Sequence, residues 1–380
     1  MIRQEIIELL RGAIKDSGLK VSEIKIEHPA NADLGDYATN AVLQISKTTG
    51  LRPQEVADII TSKLRVNTDL LERIETASPG FINFFISKEY LQEQVKEILE
   101  QKDKFGDLEI GKGKKVNLES ISANPTGPLH IGNGRNAFAG QVLGNVLEKA
   151  GHKVVREYYI NDARNSKQII ELGKTALGKG TTYLTDNLKS KILNLKPKLE
   201  KKTDESEAGY LLAREVQRDT KDFLEKKLKM KFDRWVSEEK DIYRKNKTKK
   251  IFDWLKGKNL IYQKDGAWWL KTSQFGDEKD WVVIRESGEP TYLLSDIAYH
   301  KDKFDRGSDL VIDIWGADHQ AHVSKMKAVA KILGFEGVLD ILVLQLVTLR
   351  GGEKMSKRAG NIILLEELVD EIGPDVSAWF

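Results

Sequence analysis

The chain contains no cysteine. That excludes disulfides, thiolate nucleophiles and cysteine-liganded zinc, and it accords with a reducing compartment. No run of apolar residues approaches the roughly 20 needed to span a bilayer. The first stretch, MIRQEIIELLRGAIKDSG, carries charges throughout and lacks the apolar centre of a secretory signal. A cytoplasmic protein with no membrane partner is expected. A large excess of one charge is missing too: 61 basic residues nearly offset 58 acidic ones, for a net +3. A nucleic-acid partner therefore has to be argued from local features rather than bulk charge. What remains is a chain of 380 residues, 40% hydrophobic, long enough for two or three domains.

Residues 1–108 are expected to form a small α+β unit. Ile6, Ile7, Leu10 and Ile14 recur at helical spacing. A strand is expected over residues 21–27, helices near 40–47 and 53–64, and two strands around the Pro79-Gly80 turn. A polar stretch over 107–115 marks the boundary, and residues 109–380 are expected as a second unit. It opens with a strand over 116–122, a helix over 134–150 and an apolar strand over 154–160. This strand–helix–strand order begins a parallel α/β sheet. Six lysines between Leu188 and Thr203 predict a helical, solvent-facing region over about 185–250, either as solvated faces or as an RNA contact. Short tryptophan-rich strands are expected over 262–284. Sheet strands then return at 310–315 and 340–347, with a helix beginning near Leu364.

Two loops in the second unit suit phosphate chemistry. Pro128-Leu129-His130-Ile131-Gly132-Asn133 lies between a strand and a helix. A helix N-terminus there offers unpaired N–H groups and a positive dipole end. Gly132 lets a nucleotide approach the backbone, and His130 can donate to a phosphate oxygen as charge builds. Taken alone, such a histidine is equally a structural loop residue. Lys354-Met355-Ser356-Lys357-Arg358 sits between Gly351-Gly352 and Gly360. Its two lysines can bring ammonium groups to migrating phosphates, although a lone basic loop is ordinarily solvated surface.

Together the two loops resemble the paired signatures of class I aminoacyl-tRNA synthetases. Further stretches resemble the bacterial arginyl-tRNA synthetases: SANPTGPLHIG (122–132), EYYINDA (157–163), GEPTYLLSDIAYHKDKF (288–304) and IWGADHQAH (314–322). GDYATN (35–40) and PGFINFFIS (79–87) resemble the extra N-terminal tRNA-binding domain of that family. The resemblance covers nearly the whole chain and is weakest over 165–250. It implies a Rossmann-like catalytic domain with an insertion at about 175–280, and ATP-dependent joining of L-arginine to tRNA(Arg). Mg2+ is expected with ATP, a dedicated metal centre is not, and a monomer is expected.

By motif match the resemblance implies His130, Asn133, Lys354 and Lys357 as catalytic residues. It implies ATP contacts from Pro128, Gly132, Gly316, Asp318, His319, His322, Met355 and Ser356. It implies an arginine pocket from Glu119, Asn124, Glu238, Tyr292 and Asp296, because a guanidinium calls for carboxylates in planar geometry. Read without the resemblance, Tyr292 and Asp296 mark a capped helix start beside a packing tyrosine, and Asp318, His319 and His322 allow a metal site as well as a ribose or adenine contact. The chain departs from the pattern in two places. Position 133 is Asn where the family motif usually has His, and the chain is expected to lack the C-terminal anticodon-binding domain. Alternative readings are another class I synthetase, or a catalytically weak or inactive tRNA-binding fragment. The cysteinyl type is disfavoured because it needs a cysteine-liganded zinc. Because Asn133 can donate a hydrogen bond but carries no charge, Asn133→His is expected to keep or raise the rate of adenylate formation. A sharply lower rate of pyrophosphate exchange into ATP would overturn that assignment.

Overall fold

A computed structural model describes residues 2–64, 69–201, 204–348 and 362–379. It divides into two compact units, residues 1–106 and 107–380. No described helix is long and apolar enough to cross a membrane.

The first unit runs α1 (Ile2–Asp16), β1 (Tyr37–Thr39), α2 (Ala41–Thr49), α3 (Pro53–Lys63), β2 (Leu71–Ala77), β3 (Phe81–Ile86) and α4 (Lys88–Gln101). The strands form an antiparallel sheet in the order β1-β3-β2. Ile6 and Leu10 of α1, Val42 and Ile45 of α2, and Val56 and Ile60 of α3 close its core over Ile82 and Phe84. Pro53 starts α3, where its missing N–H is harmless. The strand expected over 21–27 is absent. Only Glu27 makes a bridge, to Ala38, because β1 is three residues long and its other edge is taken by β3.

The second unit is built on a five-stranded parallel sheet in the order β11-β10-β4-β5-β6. The chain enters at the centre with β4 (Lys115–Ala123). It crosses through α5 (Ile131–Lys149) to β5 (Lys153–Ile160), then through α6 (Lys167–Ala176), α7 (Asp186–Leu199) and α8 (Glu205–Asp222) to edge strand β6 (Arg234–Ser237). A π-helical turn (Glu238–Tyr243) leads to α9 (Lys247–Gly257) and an antiparallel meander, β7 (Ile261–Lys264), β8 (Ala267–Leu270) and β9 (Trp281–Ile284). Next come α10 (Tyr292–Asp305), β10 (Leu310–Gly316), α11 (Val323–Ile332) and β11 (Val338–Leu344), with β10 paired to the other side of β4. Two short helices, α12 (Leu365–Ile372) and α13 (Pro374–Trp379), follow. The strand order reverses between β4 and β10, and the crevice at the carboxyl ends of such a pair is where open parallel sheets take ligands.

Residues 185–250 correct the expected solvent-facing region. The helices form, but Leu188, Leu195, Leu199, Leu212 and Val216 are buried against Ile169 and Leu172 of α6. Lys189, Lys196 and Lys198 are exposed on the outer faces, Lys189 pairing with Asp186. Gly173 and Gly209 allow α6 and α8 to touch backbone to backbone: a Cβ on Gly173 would collide with the Glu205 carbonyl, and one on Gly209 with that of Ile169. The span 175–280, expected as an insertion, includes β6, a strand of the main sheet.

A buried ionic network joins α10 to the sheet. The Lys303 ammonium donates to Glu119 of β4 at 2.5 Å and to Asp313 of β10 at 2.6 Å. The Tyr299 hydroxyl oxygen lies 2.7 Å from Glu119 and 2.6 Å from Glu157, and its single proton is donated to one of them at a time. Arg306 forks onto Glu157 of β5, and His300 Nε2 lies 2.8 Å from Asp313. Burial alone would lower the Lys303 pKa, but Asp313, Glu119 and Glu157 hold it above its ordinary value. Lys303→Met strands two buried carboxylates, so a loss of about 3–5 kcal/mol is expected in urea denaturation. A loss under about 1 kcal/mol would mean that the network does not hold the helix.

Candidate functional site

The loop after β4 enters α5 through a reciprocal cap. The Asn133 backbone N–H donates to His130 Nδ1 at 3.3 Å, and the His130 N–H donates to Asn133 Oδ1 at 3.2 Å. This cap starts α5 at Ile131, three residues before the expected position, because it satisfies N–H groups that otherwise lack helical partners. Asn133 thus has a local structural task as well as any part in chemistry. The His130 ring lies beside Gly132, where a Cβ would sit 2.9 Å from its Cε1. The following residues tie α5 across the sheet's switch point: Asn136 donates to the Ile314 carbonyl of β10 at 3.2 Å, and Arg135 to the Gln345 carbonyl at 2.7 Å.

Two segments border this loop. After β10, Gly316 leads into a 3-10 turn (Ala317–His322) that leaves Asp318, His319 and His322 exposed. His322 Nδ1 accepts from Lys325 at 3.4 Å, and burial, then Lys325, lowers its pKa. On the other side, the Ile131 N–H donates to the Ile363 carbonyl, and His130 bridges Leu364. Lys354, Met355, Ser356 and Lys357 lie outside the described residues, and Ile363 and Leu364 just downstream of them are therefore against the His130 loop. Pro128 is half-buried, and Asn124 is exposed in the same loop.

A second cluster sits at the carboxyl ends of β5 and β6, facing α10. Asp162, just past β5, accepts the Ser237 hydroxyl at 2.7 Å and the Glu239 N–H at 3.0 Å. These bonds shape the turn that leaves Glu238 buried beyond β6. Asp296 comes from the first turns of α10, close enough that its charge and that of Glu238 repel. Burial first, and Asp296 second, push the Glu238 carboxyl up to about 7. Burial likewise raises Asp296, against the pull of His300, Lys325, His319 and Lys303. Glu119 belongs to the network beneath, bound by Lys303 and Tyr299, and burial raises its carboxyl as well. Tyr292 stands at the first position of α10 and is exposed.

The fold therefore brings Glu238, Asp296 and Glu119 to one region, and His130, Gly132 and Asn133 to the switch-point loop. Sequence reasoning missed Tyr159, Asp162 and Lys303. The EYYINDA and YHKDK stretches contained them, but nothing in the local pattern separates a positioning carboxylate from a solvated one. Two neighbouring carboxylates at raised pKa suit a cationic ligand, since a nearby positive charge favours the ionised form of each. Because folded Glu238 keeps its proton above the usual 4.5, the folded state binds more protons between that value and about 7. Stability falls as pH rises through this window, by up to about 3 kcal/mol. Glu238→Gln should flatten the fall, seen by urea denaturation at pH 5 and pH 8. An unchanged difference between the two pH values would refute this account of the carboxyl.

Comparison with known proteins gives concordant matches. The family model described as "Arginyl tRNA synthetase N terminal domain" matches residues 2–86, and "tRNA synthetases class I (R), catalytic domain" matches residues 94–172 and 179–375. An arginine–tRNA ligase of Citrifermentans bemidjiense is 39% identical over 407 aligned residues, spanning 100% of this chain and 72% of that one. One from Dehalococcoides mccartyi is 41% identical over 381, spanning 94% of this chain and 68% of that one. The solved Thermus thermophilus arginyl-tRNA synthetase superposes with a TM-score of 0.65 at 20% identity, covering 98% of this chain and 69% of that one, a likeness of fold.

Proposed function

The chain belongs to the arginyl-tRNA synthetase family, and from that membership we propose that it activates L-arginine with ATP and transfers the arginyl group to tRNA(Arg). The observation that carries this reading is the pair of neighbouring carboxylates, Glu238 just past β6 and Asp296 on α10. A guanidinium is a planar cation with five N–H donors, and buried carboxylates match it in charge and in hydrogen-bonding capacity. Tyr292 borders that pocket and Asn124 receives the amino-acid end. Glu119 supports the pocket from below through Lys303 and Tyr299.

ATP, as its Mg2+ complex, is a substrate. Its triphosphate lies along the His130 loop, where the start of α5 favours negative charge. Pro128 and Gly132 border the nucleotide, and Gly316, Asp318, His319 and His322 meet the ribose and base. The arginine carboxylate attacks the α-phosphate, an arginyl-adenylate forms and pyrophosphate leaves. His130 and Asn133 donate to phosphate oxygens in the transition state, and by motif match Lys354 and Lys357, with Met355 and Ser356, serve the leaving pyrophosphate. The tRNA 3′-terminal ribose hydroxyl then attacks the adenylate carbonyl, and AMP leaves. The N-terminal unit, with its β1 and β3 segments, contacts the tRNA. The protein works in translation, in the cytoplasm, as a monomer.

Arginine-dependent exchange of pyrophosphate into ATP tests the reading, with and without tRNA(Arg) and against a panel of other amino acids. Exchange with arginine alone is expected. Because Glu238 titrates near 7, arginine binding should release up to about one proton and strengthen from pH 6 to pH 8. Calorimetry in buffers of different ionisation enthalpy reads that release. Exchange with another amino acid, or no exchange with arginine even in the presence of tRNA(Arg), would overturn the proposal.

A further inference from the structure

The strand leading into the carboxylate pocket carries two adjacent tyrosines on opposite faces. Tyr158 faces the α5 side, stacked on Trp235 with ring centroids 4.5 Å apart. Tyr159 faces α10, stacked on Tyr299 at 4.1 Å and 16°. It is 3% exposed. It lies in register with Ser122 of β4 and Val236 of β6, and buried Glu238 follows Val236 by two residues, in the turn that leaves β6. Its stacking partner Tyr299 is three residues along α10 from Asp296. The ring is therefore held between the two elements that supply the carboxylates.

Among the described residues, the Tyr159 hydroxyl has no hydrogen-bond partner. A buried phenol in that condition costs stability, and phenylalanine would fill the same space without the penalty. A polar group kept at a net cost beside two carboxylates indicates a task in the bound state. The charges that act most strongly on this hydroxyl belong to Glu238, Asp296 and Glu119.

We propose that Tyr159 is a further specificity-determining residue of the pocket: its hydroxyl donates to a pocket carboxylate and accepts an N–H from the guanidinium of bound arginine. The inference rests on the reading of the site as an arginine pocket and names a contact beyond its carboxylates. A guanidinium has donors left over after two carboxylates are satisfied, and a neutral oxygen accepts one without adding a third negative charge. A lysine ammonium, a compact point charge, cannot span the same acceptors.

The test is Tyr159→Phe, which keeps the ring and its stacking and deletes only the hydroxyl. Wild-type protein is measured first: if it shows no arginine-dependent exchange, the pocket assignment itself fails, and this inference with it. With wild type active, the variant is expected to raise the KM for arginine about 10-fold or more, with kcat and the KM for ATP within about twofold. The preference for arginine over lysine should fall by a similar factor. The melting temperature should stay or rise, since an unpaired buried hydroxyl is removed. An unchanged arginine KM overturns the proposal. So does a joint loss of arginine affinity, ATP affinity and melting temperature, which would make Tyr159 a packing residue only.

Discussion

The pairing of Lys303 with Glu119 and Asp313 is the interaction on which the rest of the second unit depends. The lysine is fully buried, on the helix that also carries Tyr292 and Asp296, and its two carboxylate partners lie on adjacent central strands. Ions so far from water persist only when their hydrogen bonds are well satisfied. Tyr299, His300, Arg306 and Glu157 extend the set until each charge has an opposite neighbour. A network of this kind is a weak source of net stability compared with apolar packing, but it admits few alternative arrangements. The register of α10 on the sheet, and with it the position of Asp296, follows from it.

The same arrangement divides the carboxylates into two kinds. Asp313 and Glu157 lie below the usual carboxylate range, because Lys303 and His300 outweigh burial at the first, and Arg306 and Lys303 at the second. Glu238 lies above it, with burial unopposed by a neighbouring cation strong enough to offset it. The first pair is committed to structure. Glu238 is poised for a positive ligand, and environment alone separates the two classes of an otherwise identical chemical group. The cap at the start of α5 makes a parallel point. Asn133 and His130 organise each other through backbone and side-chain bonds, so the loop facing the switch point is pre-shaped by the residues that the family motif singles out.

Much of this was legible from residue order. Helical spacing in α1 and apolar runs in β4, β5 and β10 follow from side-chain periodicity, which the backbone geometry of helix and strand imposes locally. The loop after β4 was recognisable because glycine and proline cluster there for reasons that need no distant partner. The paired motifs also limited the chemistry to nucleotide activation, and the missing cysteines removed thiolate chemistry and cysteine-liganded zinc.

Other features depended on residues far apart in the chain. Strand β6 lies inside a lysine-rich stretch and becomes part of the sheet only because β5 offers an edge. The 21–27 segment has strand-like residues but no free edge of sufficient length, so it makes a single bridge. Glu119, Glu238 and Asp296 read alike in sequence, as ordinary acids. Which is locked by a lysine, which rises to near neutrality and which neighbours an unpaired tyrosine is set by burial and by charges contributed from other elements. The sequence by itself determined periodicity, loop chemistry and the family; the tertiary structure decided protonation and partnership, because electrostatic energies depend on distance and dielectric, and neither is written in residue order.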